Sequence, residues 1–519
     1  MIKEVDLLLK PALIGSNEAI RKIAARKANI PVEKVNAIRI LKRSIDARKK
    51  TPHFWVKVAV YSGEKMGALY ETVKFAKPDN RFTVGIIGSG PAGMFAALRL
   101  LELGIKPVIL ERGSDVQLRR RDLRAIQQEG KVNPDSNYCF GEGGAGTYSD
   151  GKLYTRSTKR GDLRKITARL VQHGAVEDIL VDTHPHVGSN KLPKIVENIR
   201  KTILENGGEY HFNSKVTDLI VDDQKIKGVV INDNQERIFD AVILATGHSA
   251  RDIFELLQSK KIFMEQKPFA MGVRIEHPQA LIDKIQYKMP ERDSNLPAAS
   301  YSLNCQINGR GVYSFCMCPG GIVIPAATAP GEIVLNGMSV SRRDSPFANS
   351  GMVVEITEND LAKYKEFGVF AGIELQKAVE KATFDAGDGS QKAPAQRVTD
   401  FVRHKVSGSL PDTSYIPGIF SADLHEILPE NISARLTGGL KYFSKRVNGY
   451  YTDEAILLGS ETRTSSPIRI PRDKDSYQHV EVEGLFPAGE GAGYAGGILS
   501  AAIDGHNSAS LVAKFIKTL

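Results

Sequence analysis

The sequence predicts an α/β protein of several domains, and three observations lead to this prediction. The chain of 519 residues is longer than one hydrophobic core usually supports. From Phe82 a strand, a glycine turn, a helix and a second strand follow one another directly, which is typical of a Rossmann-like unit. From 265 to 440 no single hydrophobic periodicity persists, and glycine, proline and serine are frequent. We therefore expect four segments: a small α+β domain of ferredoxin-like type at 1–78, the first part of the Rossmann-like domain at 79–264, an inserted α+β domain at 265–440, and the last part of the Rossmann-like domain at 441–519.

The composition is typical of a folded cytoplasmic protein. Hydrophobic residues make up 42% of the chain and charged residues 25%, as in ordinary globular proteins. The charged start, Met1 to Lys10, does not have the pattern of a signal peptide. No stretch reaches the roughly 18 consecutive apolar residues of a membrane span. Four unevenly spaced cysteines do not describe a disulfide framework, so we expect a reducing cytoplasm.

The first domain is expected to be a small sheet with one helix. Val5–Leu9 is an apolar run, and Ser16 can cap a helix over Asn17–Asn29. Two further strand-like runs follow at Val35–Leu41 and Phe54–Tyr61. The order β-α-β-β suits a split-β arrangement.

Nearly all of the net charge lies in this first domain. The whole chain has a formal charge of +10, and residues 1–80 contain 17 Lys and Arg against 8 Asp and Glu, a net of +9. Such a patch can attract nucleic acid, anionic lipid or an acidic protein. Because no aromatic or motif context supports nucleic-acid readout, we favour a solvated surface. A binding or redox-sensor role through this domain is kept as an alternative.

A glycine pattern alone is weak evidence, because G-x-G-x-x-G occurs three times in this chain. The copies are Gly88/Gly90/Gly93, Gly141/Gly143/Gly146 and Gly491/Gly493/Gly496. The first copy is fed by a strand, Phe82–Ile87, and opens an Ala-rich helix, Pro91–Leu103. The next strand ends in Glu111, 23 positions after Gly88. This context predicts a dinucleotide site at the first copy.

Each part of the first copy has a physical role in such a site. Gly88 permits the tight turn, Gly90 lets the backbone approach a pyrophosphate, and Gly93 lets the helix and the strand pack closely. The helix N-terminus offers free amides to the phosphates. Glu111 is placed to accept hydrogen bonds from ribose hydroxyls.

The third copy favours FAD over NAD as the dinucleotide. It follows a predicted strand, Gly484–Ala488, and opens a helix at Ile498–Phe515. The sequence ends at Leu519 and leaves no room for a second strand and its acidic residue. We therefore expect this segment to be the last strand and helix of the first sheet, beside the cofactor.

Three separated segments resemble the glutathione-reductase-like FAD superfamily. They are the glycine turn at 88–93, Ala245-Thr246-Gly247, and Pro487-Ala488-Gly489-Glu490, in that order. Gly489-Glu490 stands where those proteins usually carry Gly-Asp, a conservative departure for an acid that hydrogen-bonds near the ribityl and pyrophosphate groups.

A closer resemblance, over the whole chain, is to bacterial proteins described as FAD-dependent dehydrogenases. Its marks are the strings GEGGAGTYSDGK at 141–152, CMCPGG at 316–321 and ETRTSSP at 461–467. The resemblance implies an FAD-dependent oxidoreductase in which the loop at 141–152 lies along the cofactor, with Thr147 to Gly151 near the flavin. The predicted cofactor-binding residues are Gly88, Ser89, Gly90, Pro91, Ala92, Gly93, Glu111, Arg112, Gly144, Thr147, Ser149, Asp150, Gly151, Lys152, Val216, Ala245, Thr246, Gly247, Gly489, Glu490, Gly496, Gly497 and Ile498.

Four residues are candidates for the chemistry itself. Cys316 and Cys318 could accept electrons from a flavin as a dithiol, although redox pairs usually have two residues between the cysteines. Glu461, Arg463 and Ser465 would share one face of a strand, and Arg463 could hold a substrate carboxylate through two hydrogen bonds. The alternatives are buried small thiols and an exterior salt-bridged strand. We expect no metal site, because no Cys and His residues have ligand spacing.

These observations predict an enzyme that oxidises or reduces a small organic substrate through FAD, with the substrate held by the inserted domain. A dithiol-using flavin reductase is the alternative within the same class. No complete second nucleotide unit is found, so the electron donor is expected to be transiently bound NAD(P)H or another protein.

Overall fold

The computed structural model describes residues 1–49, 51–75, 77–79, 81–154 and 161–519. The first domain contains β1 (Ile2–Leu9), α1 (Asn17–Ala28), β2 (Ala37–Asp46) and β3 (His53–Tyr61). Its strands form an antiparallel sheet in the order β1-β3-β2, and α1 packs on β1 and β3. The Ser16 hydroxyl accepts a hydrogen bond of 3.2 Å from the Ala19 amide. The predicted β-α-β-β order and the helix cap are confirmed.

The basic residues of this domain are partly neutralised by neighbouring acids. Arg43 on β2 donates to Asp178 at 2.8 Å and to Asp182 at 2.6 Å, which ties the first domain to the second. Within the domain, Lys22 pairs with Glu18, Arg48 with Asp46 and Lys57 with Glu4. With Arg43, these pairs involve four of the 17 Lys and Arg residues of segment 1–80, so they neutralise a minor part of the predicted positive charge.

The nucleotide domain begins at β4. Its first part contains β4 (Thr83–Ile87), α2 (Pro91–Glu102), β5 (Lys106–Leu110), α3 (Val116–Glu129), α4 (Leu163–Gln172), α5 (Leu192–Glu205), β6 (Glu209–His211), β7 (Val216–Asp222), β8 (Lys225–Ile231), β9 (Gln235–Ile238), β10 (Ala241–Leu244) and α6 (Arg251–Ser259). The inserted segment contains β11 (Glu265–Gln266), β12 (Phe269–Pro278), α7 (Gln279–Tyr287), β13 (Asn304–Ile307), β14 (Arg310–Cys318), β15 (Ile322–Pro325), β16 (Leu335–Met338), β17 (Phe347–Ile356), α8 (Ala371–Asp385), β18 (Ala393–Arg397), α9 (Val398–Val402), β19 (Ile419–Ser421), α10 (Leu424–Ile427), α11 (Glu430–Arg446), β20 (Ile456–Glu461) and β21 (Ile468–Arg469). The chain returns to the nucleotide domain with β22 (Leu485–Pro487) and α12 (Ile498–Ile516).

The nucleotide domain is built on a five-stranded parallel sheet in the order β22-β10-β4-β5-β6. The last strand, β22, thus pairs in the same sheet as the glycine-turn strand β4, as the sequence predicts. A separate antiparallel meander, β7-β8-β9, follows. Strand β6 does not belong to this meander, because Glu209–His211 pairs with β5 and forms the edge of the parallel sheet.

Helices α2 and α12 cross on this sheet with little room between them. A Cβ at Gly505 would lie 1.9 Å from the Ala92 carbonyl oxygen, so glycine is required for the crossing. The crossing brings the N-termini of both helices to the carboxyl edge of the sheet.

The inserted segment forms a seven-stranded sheet in the order β13-β14-β17-β12-β20-β18-β19. Its pairs are antiparallel except for β18 with β19. Strand β20 lies beyond the predicted end of the insertion at residue 440, yet it pairs with both β12 and β18. The sheet therefore continues to Glu461, since the central strand β12 is buried throughout and needs a partner on each side.

None of the helices in the described ranges is both long enough and apolar enough to cross a membrane.

Candidate functional site

A cavity of ≈ 440 Å³ opens where the carboxyl edge of the parallel sheet faces the inserted sheet. One side is lined by the nucleotide domain, and the other by residues of β14, β16 and the loop after β20. From the predicted cofactor set, the residues that line the cavity are Gly88, Ser89, Gly90, Pro91, Ala92, Glu111, Arg112, Gly144, Ser149, Asp150, Gly151, Lys152, Val216, Ala245, Thr246, Gly247, Gly489, Glu490, Gly496, Gly497 and Ile498. Gly93 and Thr147 do not line it.

The glycine turn is shaped by close backbone contacts. Gly88 has a φ of +97°, and its amide donates to the Leu110 carbonyl at 2.8 Å. A Cβ at Gly93 would lie 2.0 Å from the Gly88 carbonyl oxygen, so Gly93 supports the turn from behind. Gly247 and Gly497 also have positive φ, but a Cβ on either would meet no atom within 4 Å. These two glycines border open space, as a cradle for a bound molecule requires.

Glu111 ties three loops together. Its Oε2 accepts hydrogen bonds from the amide (3.0 Å) and hydroxyl (2.6 Å) of Ser89. Its Oε1 accepts from the amides of Gly113 (2.9 Å) and Gly141 (3.0 Å). Each carboxylate oxygen therefore already has two donors from the chain. The predicted contact with ribose hydroxyls remains a prediction, and the observed role of Glu111 is to fix the turn.

The loop after α3 is held by Arg119, a residue that the sequence did not reveal. Its guanidinium is fully buried and donates to the carbonyls of Asn137, Tyr138, Gly141 and Glu142. An arginine on a helix is usually a surface residue, and nothing local in the sequence distinguishes this one. It explains how a loop rich in glycine keeps one shape beside the cavity.

Thr147 closes this loop from within. Its hydroxyl donates to the Glu142 carbonyl at 3.1 Å, and the side chain is 1% exposed. It therefore supports the loop and does not face the cavity.

Two other predicted contacts lie at the wall near β5. Arg112 stacks over the Phe140 ring at 4.4 Å and donates to Asp135 and Asp252. Val216, at the start of β7, is buried beneath it as an apolar part of the wall. The stacked guanidinium and the apolar surface suit a flat ring.

At the edge of the cavity near α12, the role predicted for Glu490 is shared by two acidic residues, Glu490 and Asp504. Glu490 accepts a hydrogen bond from the Gly497 amide at the start of α12, and its Oε2 lies 3.7 Å from Nε2 of His248. The Gly489 amide donates instead to Asp504 on α12, at 2.7 Å. Asp504 in turn pairs with Arg472 at 2.6 Å. The signal that could have identified Asp504 was an acid that follows the apolar first turns of α12.

Arg463 lies in the loop after β20, in a network of buried ions. It donates to Glu380 through Nε (3.0 Å) and Nη2 (2.8 Å), to Glu332 (2.7 Å) and to Thr328 (2.5 Å). Arg251 bridges the same two carboxylates. The fork that was expected to hold a substrate carboxylate therefore holds Glu380. Arg463 nevertheless lines the cavity.

Glu461 does not reach the cavity. The strand ends at this residue, so the predicted alternation with Arg463 and Ser465 along one strand face is wrong. Glu461 is buried and accepts two hydrogen bonds of 3.0 Å from Nη1 of Arg274 on the neighbouring strand β12. Burial raises the pKa of Glu461, and Arg274 opposes this effect.

The two cysteines face the cavity on a bulge of β14. The pairing of β14 with β17 shifts register between Phe315 and Cys318, and Cys316 has a φ of +43°. Arg274 holds the bulge by donating to the Cys316 carbonyl at 2.9 Å. Both thiols are free; Cys318 is buried, which raises its pKa, whereas Cys316 is exposed toward the cavity. The burial of Cys318 opposes the thiolate that a dithiol mechanism needs.

Asp150 and Lys152 form a polar cluster opposite the bulge. Asp150 accepts from Ser339 (2.6 Å), Arg343 (2.6 Å) and Lys152 (3.2 Å). Lys152 lies 4.0 Å from the Cys318 sulfur.

Several lining residues were not predicted, among them His248, Phe315, Asn336 and Thr464. His248 directly follows the Ala245-Thr246-Gly247 segment, which was a usable signal. Burial lowers its pKa, so the imidazole is neutral at neutral pH. The other three come from the inserted segment: Thr464 lies within the quoted string at 461–467, and no motif singles out Phe315 or Asn336.

Family models match three parts of the chain. Residues 81–125 match an FAD binding domain, 268–464 match the C-terminal domain of an FAD-dependent protein, and 1–61 match a domain family of unknown function. The first match spans the glycine turn and Glu111, and the second spans the inserted sheet to β20. With the cavity between them, these matches define the class: the protein is an FAD-dependent protein with FAD as its cofactor.

The chain belongs to the same family as a protein of Clostridium beijerinckii that is described as uncharacterized. The two are 41% identical over 507 residues, which is 94% of each chain. Among solved structures, the chain is similar to CtdE in complex with FAD and a substrate (11% identity, TM-score 0.36, 84% of each chain). It is also similar to a geranylgeranyl bacteriochlorophyll reductase-like protein of Thermoplasma acidophilum (12% identity, TM-score 0.35, 84% of this chain and 79% of that one). Likeness at this level assigns no reaction to the chain.

Proposed function

We propose that the protein oxidises or reduces a small organic substrate, which the inserted domain holds against FAD. The observation that carries this proposal is the shared cavity, with a glycine cradle on one side and residues of the inserted sheet on the other. Bound FAD supplies two-electron transfer to or from the substrate. The chain supplies binding, orientation and the exclusion of water.

The residues that support cofactor binding differ in kind from those that face the substrate. On the cofactor side, backbone amides at the start of α2 suit a pyrophosphate, and the positive end of α12 suits developing negative charge. On the other side, Phe315, Asn336 and Thr464 offer one apolar surface and two hydrogen-bonding groups. His248 is a neutral imidazole at the cavity wall and can exchange a proton with a substrate.

The test is anaerobic reduction of the FAD-loaded protein by NADH and by NADPH, followed by stopped-flow absorbance. Rapid bleaching by either nucleotide would identify the donor. If neither reduces the flavin, the donor is another protein or the substrate itself. A purified chain that retains no FAD under any condition would contradict the proposal.

A dithiol mechanism is the second candidate, because the structure places Cys316 and Cys318 at the cavity. We expect it to fail, since burial raises the pKa of Cys318 and the spacing of the two cysteines is not that of usual redox pairs. The check is the double variant Cys316→Ser and Cys318→Ser, with reoxidation of the reduced protein as the measurement. Retained reoxidation excludes the dithiol, whereas loss of reoxidation with FAD still bound would support it. Cys305→Ser, a buried thiol away from the cavity, is the matched control.

A further inference from the structure

Among the described residues, four cationic side chains line the cavity: Arg112, Lys152, Lys215 and Arg463. Arg112 and Lys215 share the two carboxylates of Asp135 and Asp252, so their charges are balanced.

Arg463 and Lys152 line the cavity from opposite domains, and the difference between their surroundings bears on the class of substrate. Arg463 and Arg251 share two carboxylates, Glu380 and Glu332, so two positive charges meet two negative charges. The Arg463 end is electrically balanced. A hydrogen bond that Arg463 donates to a bound molecule would therefore come from a group of side chains with no net charge.

The Lys152 end has one positive charge more than it has negative charges. Lys152 and Arg343 share a single carboxylate, Asp150, whose pKa is lowered because these cations outweigh the effect of its burial. His186 adds no charge, because burial lowers its pKa to about 4. Among the described side chains at this end, the cluster therefore sums to +1.

The neighbouring groups on β14 and β12 do not cancel this charge. Neither thiol is ionised at neutral pH, because a free thiol has a pKa of about 8.5 and burial raises that of Cys318. Arg274 and Glu461 form a buried pair of opposite charges. Burial lowers the pKa of Lys152 and the Asp150 carboxylate raises it, so the ammonium group stays charged at neutral pH. The Lys152 side chain is 36% exposed, and it faces the cavity.

We propose that the substrate is a carboxylate-bearing organic molecule, and that Lys152 binds its anionic group. Arg343 pairs with Asp150, so the charge of Lys152 is left without a carboxylate of its own. An uncompensated cation at the wall of a partly closed cavity attracts an anion more strongly than a compensated one does. The bulge at Cys316 then lies beside the bound carboxylate, and Arg463 supplies a directional hydrogen bond at the balanced end. This inference rests on the proposed function and adds the substrate class to it.

The test compares carboxylates with their uncharged amides on the FAD-loaded protein. The probes are acetate with acetamide and benzoate with benzamide, at constant ionic strength, and the readout is the change in the flavin absorption spectrum. We expect the carboxylates to give saturable changes and the amides to bind at least about tenfold more weakly. Equal binding of carboxylate and amide would overturn the inference without any variant.

Three variants sharpen the test. Lys152→Met is expected to weaken carboxylate binding by about 10–100-fold, the usual effect of losing one charged hydrogen bond. Lys152→Arg is expected to retain it, and Lys131→Met, an exposed lysine paired with Glu129, is the matched control. Unchanged carboxylate binding in Lys152→Met would contradict the inference.

Two other outcomes would assign Lys152 to the cofactor and also overturn the inference. One is loss of FAD from Lys152→Met, and the other is a lower flavin reduction potential with unchanged carboxylate binding. A wild-type protein that never holds FAD contradicts the proposed function itself. A protein that holds reducible FAD but does not discriminate carboxylates contradicts the substrate class alone.

Discussion

The two sides of the cavity keep their shape by different means. On the nucleotide side the glycine turn rests on close backbone contacts, as where Gly93 packs against the Gly88 carbonyl, and charged side chains such as Glu111 and Arg119 bind mainly backbone amides and carbonyls. On the inserted side the main contacts are ion pairs between charged side chains from distant parts of the chain. Glu380 with Arg463, and Arg274 with Glu461, are the main examples.

The difference teaches which changes each side can tolerate. A backbone contact fails when any side chain is added, whatever its charge. A buried ion pair fails when one partner is removed, because the other charge stays buried without compensation. We therefore expect an added methyl group to damage mainly the nucleotide side, and the removal of one charged partner to damage mainly the inserted side.

The largest effect is expected from Glu380→Ala, on the inserted side. The change leaves Arg463 and Arg251 with one carboxylate between them, at a cost of about 3–5 kcal/mol in unfolding free energy. Urea unfolding of the FAD-loaded protein measures this cost. Glu374→Ala, which removes a helix-surface pair with Lys377 on the same helix, is the control and should cost less than about 1 kcal/mol. Equal effects of the two changes would show that the ion network does not support the cavity.

A smaller but still large effect is expected from Gly93→Ala, on the nucleotide side. The new methyl group would meet the Gly88 carbonyl oxygen at 2.0 Å, so α2 must shift away from the turn. We expect a loss of about 1–3 kcal/mol in unfolding free energy and a clear loss of bound FAD, measured by the ratio of flavin to protein absorbance. Gly67→Ala, where a Cβ meets no atom within 4 Å, is the control. Normal FAD content in Gly93→Ala would contradict the steric account.

The third prediction is a pH dependence of the unfolding free energy, which comes from a histidine of the inserted sheet. Burial lowers the pKa of His277 on β12 to about 4, well below its ordinary value of 6.5. Between these values the unfolded chain binds a proton that the folded chain does not, so stability is full above pH 6.5 and falls as the pH drops toward 4. One such histidine contributes a slope of about 1.4 kcal/mol per pH unit.

Urea unfolding across this window, for wild type and His277→Gln, measures that slope. The variant should show a shallower dependence even if it is less stable overall, because the buried imidazole that resists protonation is gone. Identical slopes for the two proteins would exclude His277 as a source of the pH dependence.

Much of the nucleotide side could be predicted from the sequence. The strand, the turn, the helix and Glu111 lie within one short segment, and β22 with α12 takes the expected place in the same sheet. The finer resemblance to glutathione-reductase-like proteins stays a prediction. The inserted side was predicted less well. Arg463 and Glu461 are two positions apart and were predicted to share one face of a strand, yet of the two only Arg463 lines the cavity, while Glu461 binds Arg274.

By itself, the sequence determined the dinucleotide unit, because a tight turn and a helix N-terminus are set by residues close together in the chain. The tertiary structure decided which charges are compensated. Glu380 meets Arg463 across 83 positions, and Lys152 meets Cys318 across 166. Pairings at such distances depend on how two sheets pack, and no local pattern encodes them.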